Sequence, residues 1–204
     1  MDFKFSCMIL AGGMSSRMHG INKAFVKLGN QSLISKIINN IPHQHITTAI
    51  NANKNINAFY KFGLETIKDD IGKNYGPLSG IYTALNWANK LKFKWVLTIP
   101  CDIPFFPKDF FLKANYLLDD KLKKFDVLSV TSNKKKHHII SIWRVDLKNN
   151  LKKEIIDGSR KVDDFASKQN IKYINYYFDK CDIDPFYNVN SESDLIKLQQ
   201  RIDY

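Results

Sequence analysis

The sequence predicts an α/β fold: a three-layer arrangement in which a mostly parallel sheet carries helices on both faces, with one antiparallel strand in the second half. Three observations predict it. Short apolar, β-branched runs alternate with amphipathic segments through the first half. Pro77 and Pro107 stand where helices should begin. Glycine- or proline-bearing turns follow the strongest strand candidates, where open α/β sheets bind ligands.

Phe5–Leu10 reads as a buried strand bounded by Gly12-Gly13. Leu33, Ile34, Ile37, Ile38 and Ile41 recur at helical spacing, which predicts a helix over Ser32–Ile41, stopped by Pro42. Ile46–Asn51 is a strand, Asn55–Phe62 a short helix and Leu64–Ile67 another strand. A polar loop with Asp69, Asp70, Gly72 and Gly76 leads to a helix from Pro77 to Leu91. Lys94–Ile99 is a strand stopped by Pro100, and Pro107–Leu118 a helix. The second half predicts strands at Val127–Thr131, His138–Trp143 and Lys172–Phe178. Helices are predicted at Val145–Ile156, Val162–Gln169 and Ser191–Arg201, the last capped by Ser191. No repeat or low-complexity linker divides residues 1–204, which read as one domain.

Composition narrows the function. No run of about 18 apolar residues occurs, so no membrane-spanning helix is expected. Phe5–Met14, preceded by Lys4, has the length of a signal-peptide core, but Gly12-Gly13 and the lack of a cleavage site argue against secretion. Cys7, Cys101 and Cys181 form no CxxC, so neither a disulfide framework nor a zinc ribbon is supported. Cys7 and Cys101 lie in apolar runs and should be buried, and a reducing cytoplasm is the natural compartment. His43, His45, His137 and His138 do not assemble a zinc set by spacing. The net charge of +11 suggests an anionic partner or a lysine-rich solvated surface. The one tight basic run is Lys134-Lys135-Lys136, without the interleaved arginines and aromatics of a nucleic-acid binder.

Five segments carry chemistry. Leu10–Lys23 follows the first strand; Gly12 and Gly13 permit close backbone approach to a phosphate, and Arg17 and Lys23 bring positive charge. It is neither GxGxxG nor GxxxxGK[ST]. Pro100-Cys101-Asp102-Ile103-Pro104 puts a carboxylate at a strand end, suited either to Mg²⁺ or to capping a turn. Asn51-Ala52-Asn53 offers amides for a base or ribose, although capping of the next helix is the expectation for Asn53. Asp69 precedes Gly76-Pro77-Leu78-Ser79-Gly80, pairing a carboxylate for a purine edge or ribose with a helix N-terminus at Gly76 that favours anions. In Asn188-Val189-Asn190-Ser191, alternation points both Asn side chains to one face, and Ser191 with Asp194 forms an imperfect capping box.

Together and in this order, over Phe5 to Arg201, these segments resemble the molybdenum cofactor guanylyltransferase family. The resemblance implies a Rossmann-like nucleotidyltransferase fold. It implies transfer of GMP from GTP to the terminal phosphate of molybdenum-molybdopterin, giving the guanine dinucleotide cofactor and pyrophosphate. The implied nucleotide contacts are Leu10, Ala11, Gly12, Gly13, Lys23, Asn51, Asp69, Gly76 and Asp102. Arg17, Lys23 and Asp102 would be catalytic, Asp102 would hold Mg²⁺, and Arg160, Lys161, Asn188 and Asn190 would face the pterin. Residues from 1 to about 105 would bind nucleotide, and those from about 106 to 204 would complete the pterin site. The chain departs from the family pattern at Asn22, where an Asp is usual, at His137-His138 for His-Pro, and at Lys161 for a second Arg. A sister family that transfers CMP usually carries LAAG, so Gly12-Gly13 favours guanine. Alternatives are that cytidylyl relative, a sugar-phosphate nucleotidyltransferase, and a non-catalytic molybdopterin carrier. Apo-molybdoenzymes or their chaperones are conceivable partners; nucleic acid and membrane are not expected.

Overall fold

In the computed structural model, which describes residues 3–12, 22–42, 44–72, 75–119, 124–179 and 182–202, strands and helices alternate much as the spacing predicts. The first half contains β1 (Phe5–Leu10), a short antiparallel pair β2 (Lys27–Leu28) and β3 (Gln31–Ser32), α1 (Leu33–Asn40) and β4 (Thr48–Asn51). It continues with β5 (Glu65–Ile67), α2 (Pro77–Lys90) and β6 (Trp95–Pro100). The second half holds α3 (Asp109–Asp119), β7 (Val127–Ser132), β8 (Lys135–Arg144), α4 (Lys148–Ile156), α5 (Val162–Ala166), β9 (Ile171–Tyr176) and α6 (Glu192–Ile202).

Seven strands form one sheet in the order β5-β4-β1-β6-β8-β7-β9. All neighbours pair in parallel except β8, which runs antiparallel to both β6 and β7. The reason is the connection: β7 and β8 are joined by Asn133-Lys134 alone, and two residues can link only antiparallel strands. Both turn residues have positive φ (42° and 74°), the twist that matches a right-handed hairpin. Lys135 and Lys136 are the first, exposed residues of β8. The lysine run is therefore a hairpin tip, and β8 begins three residues before the predicted strand.

The chain places β4 and β5 on one side of β1, then returns to place β6 on the other. This reversal leaves a crevice at the carboxyl ends of β1 and β6. Residues of β1 are buried from Phe5 to Ile9, as expected of a strand covered on both faces. Cys7 and Ile9 join Ile34, Ile37, Phe106, Phe110 and Phe111 under α1 and α3. Met8 joins Leu78, Ile81, Leu85, Trp143, Leu151 and Phe165 under α2, α4 and α5. Trp143 is wholly buried, and its indole N–H donates to Thr98 Oγ1 at 2.9 Å, so the ring carries no unpaired donor into the core. Cys7 and Cys101 are buried, and burial pushes both thiols far up. Cys181 and His43 lie outside the described residues. No helix among the described residues is long and apolar enough to cross a membrane.

Several boundaries move for identifiable reasons. Ile46 is buried but belongs to a turn, where His45 and Ile46 N–H both donate to Pro42 O. β4 therefore starts at Thr48. The predicted short helix at 55–62 is a 3-10 segment, Ile56–Phe62, flanked by Asn55 and Gly63 in the left-handed region. Ser191 caps α6 in a full reciprocal box: Asp194 N–H donates to Ser191 Oγ at 3.2 Å, and Asp194 Oδ2 accepts from Ser191 N–H at 2.9 Å. Burial alone would raise the Asp194 carboxyl, but hydrogen bonds from Tyr187, Asn190 and Ser191 outweigh it and hold the group below its ordinary value.

A carboxyl depressed on folding stabilises above its unfolded pKa, and that contribution is lost as pH falls through the lower folded value. Asp194→Ala should therefore lower the urea midpoint at pH 7, in line with a lost cap of about 1 kcal/mol. Below the ordinary carboxylate range the variant and the parent should converge. Denaturation curves across the acid range check this, and a constant difference down to the lowest pH would contradict it.

Candidate active site

Strand register brings the sequence-distant motifs together. Leu10 is opposite Asn51 on one side and Pro100 on the other. Ala11 N–H donates to Asn51 O at 2.8 Å, and Cys101 N–H donates to Leu10 O at 3.0 Å. Asn51 in turn lies opposite Ile67, and Ala52 N–H donates to Ile67 O, which delivers Asp69 to the same edge. Leu10, Ala11, Gly12, Asn51, Asp69 and Asp102 thus border one crevice. Gly13 and Arg17 lie outside the described residues.

Asp69 is the hub of a hydrogen-bond cluster on one side of the crevice. Its Oδ1 accepts from Asn51 Nδ2 at 2.8 Å, and its Oδ2 accepts from Asn53 Nδ2 at 2.8 Å and Ser79 Oγ at 2.7 Å. Asn53 Oδ1 accepts from Asp69 N–H at 2.9 Å. Asn53 is thus a clamp on Asp69 and not the helix cap expected from sequence. The 3-10 segment that follows begins after Asn55, which makes no side-chain cap. Ser79 escaped the sequence reading because a hydroxyl in the first turn of a helix reads as a local cap, and its oxygen does lie 2.8 Å from Gly76 O.

Two glycines make this packing possible. A Cβ on Gly80 would sit 2.9 Å from Asn51 Oδ1 and 3.1 Å from Leu10 Cδ2. Gly76 has φ +62° and ψ −152°, backbone that residues with a side chain resist, and it turns the chain into Pro77 at the start of α2.

The charged centre lies across the crevice. Asn22 Oδ1 accepts from Ala24 N–H at 3.0 Å, capping the 3-10 turn Lys23–Phe25. Asn22 therefore keeps the cap that the usual aspartate could make, because a cap requires only a side-chain oxygen. Lys23 Nζ donates to Asp102 Oδ2 at 3.1 Å and to Asn190 Oδ1 at 2.5 Å. The Lys23 and Asp102 side chains are only 16% and 14% exposed, so the pair is less screened than a surface ion pair. Asp102 Oδ1 is buried with no hydrogen-bond partner among the described residues. Asp102 O accepts from Val189 N–H at 2.8 Å, which docks the Asn188–Asn190 segment on the end of β6. Asn190 is exposed and Asn188 half-buried, and no group of three acidic, His or Cys residues fit for a metal exists among the described residues.

Arg160 lies beside Gly76, where an added Cβ would sit 3.7 Å from Arg160 O. Its guanidinium stacks on Tyr75 at 4.6 Å, and Nη1 donates to Ile155 O and Ser159 O. Lys161 is exposed at the position before α5. The two histidines are buried anchors. His138 Nδ1 lies 2.7 Å from Asp163 Oδ1 and Nε2 lies 2.8 Å from Tyr173 Oη, fastening α5 behind Arg160 and Lys161. His137 Nε2 lies 2.7 Å from Ser132 Oγ, which donates to Asp184 Oδ2 at 2.9 Å. That relay ties the segment leading to Asn188 onto the β7–β8 hairpin. Desolvation lowers the His137 pKa against the opposing pull of Asp184, which favours a neutral ring. Nothing in the spacing of Ser132, His137 and Asp184 predicts their meeting.

The geometry has counterparts among known proteins. Residues 7–170 match the family described as MobA-like NTP transferase domain. The chain is 34% identical over 203 residues to the molybdenum cofactor guanylyltransferase of Haemophilus influenzae, covering 97% of this chain and 98% of that one. It is 32% identical over 195 residues to the Pasteurella multocida protein of the same name, covering 96% and 99%. Molybdopterin-guanine dinucleotide biosynthesis protein A from Archaeoglobus fulgidus shares the fold with a TM-score of 0.75, at 21% identity over 98% of this chain and 99% of that chain. With the Lys23–Asp102 pair and Asp69 bordering one crevice, the chain belongs to the molybdenum cofactor guanylyltransferase family and is a nucleotidyltransferase.

Proposed function

We propose that the enzyme transfers GMP from GTP to the terminal phosphate of molybdenum-molybdopterin and releases pyrophosphate. The observation that carries this reading is the meeting of Lys23 and Asp102, half-hidden from water, at the crevice that Gly12 and Asp69 also border. Two close relatives are named for guanylyl transfer.

On this reading the triphosphate runs past Ala11, Gly12, Gly13 and Gly76, and the glycines present no Cβ to clash with it. Asp69 receives three side-chain donors, Asn51, Asn53 and Ser79, which leaves a carboxylate of about four acceptor sites with one to offer a base N–H or a ribose hydroxyl. Asp102 Oδ1 fits a divalent cation, because a buried anionic oxygen without a donor is otherwise costly. Mg²⁺ favours one or two carboxylates plus phosphate oxygens and would supply charge neutralisation at the phosphates. Arg160, Lys161 and Asn188 would receive the pterin phosphate, so that residues up to about 105 serve the nucleotide and the remainder completes the acceptor side.

The acceptor phosphate is already anionic, so the reaction requires no strong general base. An acceptor oxygen bonds to the α-phosphorus while the α–β bridging bond breaks, and pyrophosphate leaves with the electron pair. Lys23, joined by Arg17, neutralises charge that develops on the α-phosphate and leaving group.

Calorimetry of the purified protein with GTP, CTP and ATP in the presence of Mg²⁺ tests the nucleotide assignment. Selective GTP binding is expected, weakened roughly 10–100-fold by Lys23→Ala, the effect of losing a hydrogen-bonded charge. Preference for CTP, or no nucleotide binding, would overturn the assignment. Asp102→Asn and Lys23→Ala should each lower turnover by roughly 10²–10³ while melting stays cooperative. Near-parental turnover in either would exclude the proposed roles.

Gly80→Ala separates packing from propensity. Alanine gains about 1 kcal/mol in a helix interior. Forcing Asn51 aside from Asp69 should cost about 1–3 kcal/mol and dominate. The variant should bind GTP less tightly without a gain in melting temperature. Unchanged affinity with raised stability would show that Asn51 yields freely.

A further inference from the structure

We propose that Asn190 acts on the nucleotide side of the site, as a positioning residue that aims Lys23; this rests on the reading of the crevice as a GTP site. Sequence alternation puts Asn188 and Asn190 on one face, and the family resemblance turns both toward the acceptor, but the Asn190 side chain meets Lys23. Lysine is a point charge on a flexible four-carbon stem with three N–H donors. One N–H meets Asp102 Oδ2 at 3.1 Å and a second meets Asn190 Oδ1 at 2.5 Å. The third has no acceptor among the described residues and is left for a phosphate oxygen. Two fixed acceptors define its direction, whereas Asp102 alone would leave the ammonium free to swing.

Asn190 is itself held firmly enough to serve. Its N–H donates to Asp194 Oδ2 at 2.9 Å, the same oxygen that closes the cap of α6. The neighbouring Val189 is buried, and its N–H is bonded to Asp102 O. Asn190 Nδ2 points back to Asn188 O at 3.5 Å, which leaves the oxygen end toward Lys23. The reverse orientation would face two donors at each other. The amide is also the suitable acceptor chemically. A carboxylate at 190 would surround Lys23 with two negative groups beside a triphosphate, trapping the ammonium and repelling the ligand.

The test is calorimetric GTP binding with Mg²⁺ and no pterin present, for the parent, Asn190→Ala, Lys23→Ala and the double variant. Asn190→Ala should weaken GTP roughly tenfold, the effect of losing one hydrogen bond to a charged group. Because Asn190 acts through Lys23, the double variant should bind no more weakly than Lys23→Ala alone. Asn190→Asp, which keeps the side-chain shape and the acceptor, should also bind GTP more weakly than the parent. Parental GTP affinity in Asn190→Ala or Asn190→Asp, or effects of Asn190→Ala and Lys23→Ala that multiply in the double variant, would overturn the proposal while leaving the GTP site intact. Failure of the parent to bind GTP would instead remove the reading beneath it.

Discussion

The parallel pairing of β1 with β6 is the constraint on which the rest of the site depends. Leu10 opposite Pro100 ends both strands at one level, so the glycine loop and Asp102 emerge side by side. The pairing of β1 with β4 and of β4 with β5 then brings Asn51 and Asp69 to the same edge. No side chain has to reach far. The backbone ladder does the positioning, and the apolar faces beneath it, one under α1 and α3 and one under α2, α4 and α5, keep the ladder rigid. Only Gly can occupy position 80 without displacing Asn51, because α2 passes so close to that edge.

The second half of the chain contributes by closing onto this edge. β8 inserts antiparallel beside β6, so its N-terminal residues His137 and His138 lie toward the carboxyl end of β6. Each histidine fastens one segment: His138 holds α5 through Asp163, and His137 holds the chain before Asn188 through Ser132 and Asp184. These polar contacts add fixed geometry to segments that Phe165 and Phe186, both wholly buried, anchor in the core. Val189 completes the closure by binding the backbone of Asp102. The two halves of the chain thus meet at Asp102, and Lys23 bridges Asp102 to Asn190.

Much of this was legible in the sequence, because strands buried on both faces and helices opened by proline leave strong local patterns. β1, α1, α2 and β6 stand within a residue or two of their predicted bounds. The failures have physical causes. β8 starts early because its first residues, Lys135 and Lys136, are solvated and carry no apolar period. β2 and β3 are two residues each, too short for any alternation to show. Asn53 has the composition of a cap, and only the register of β4 with β5 reveals that Asp69 is its partner. Asn188 and Asn190 look equivalent by alternation. Lys23 lies 167 positions from Asn190, a separation that no local pattern encodes.

The most direct measurement of the central claim follows the α-phosphate. The purified enzyme, molybdenum-molybdopterin and Mg²⁺ are incubated with GTP labelled at the α-phosphorus or at the γ-phosphorus. The account predicts that the α label enters the pterin product as a guanine dinucleotide and that the γ label leaves as pyrophosphate. Appearance of the γ label in the pterin, or of either label as free nucleotide diphosphate and inorganic phosphate, would contradict nucleotidyl transfer at this site.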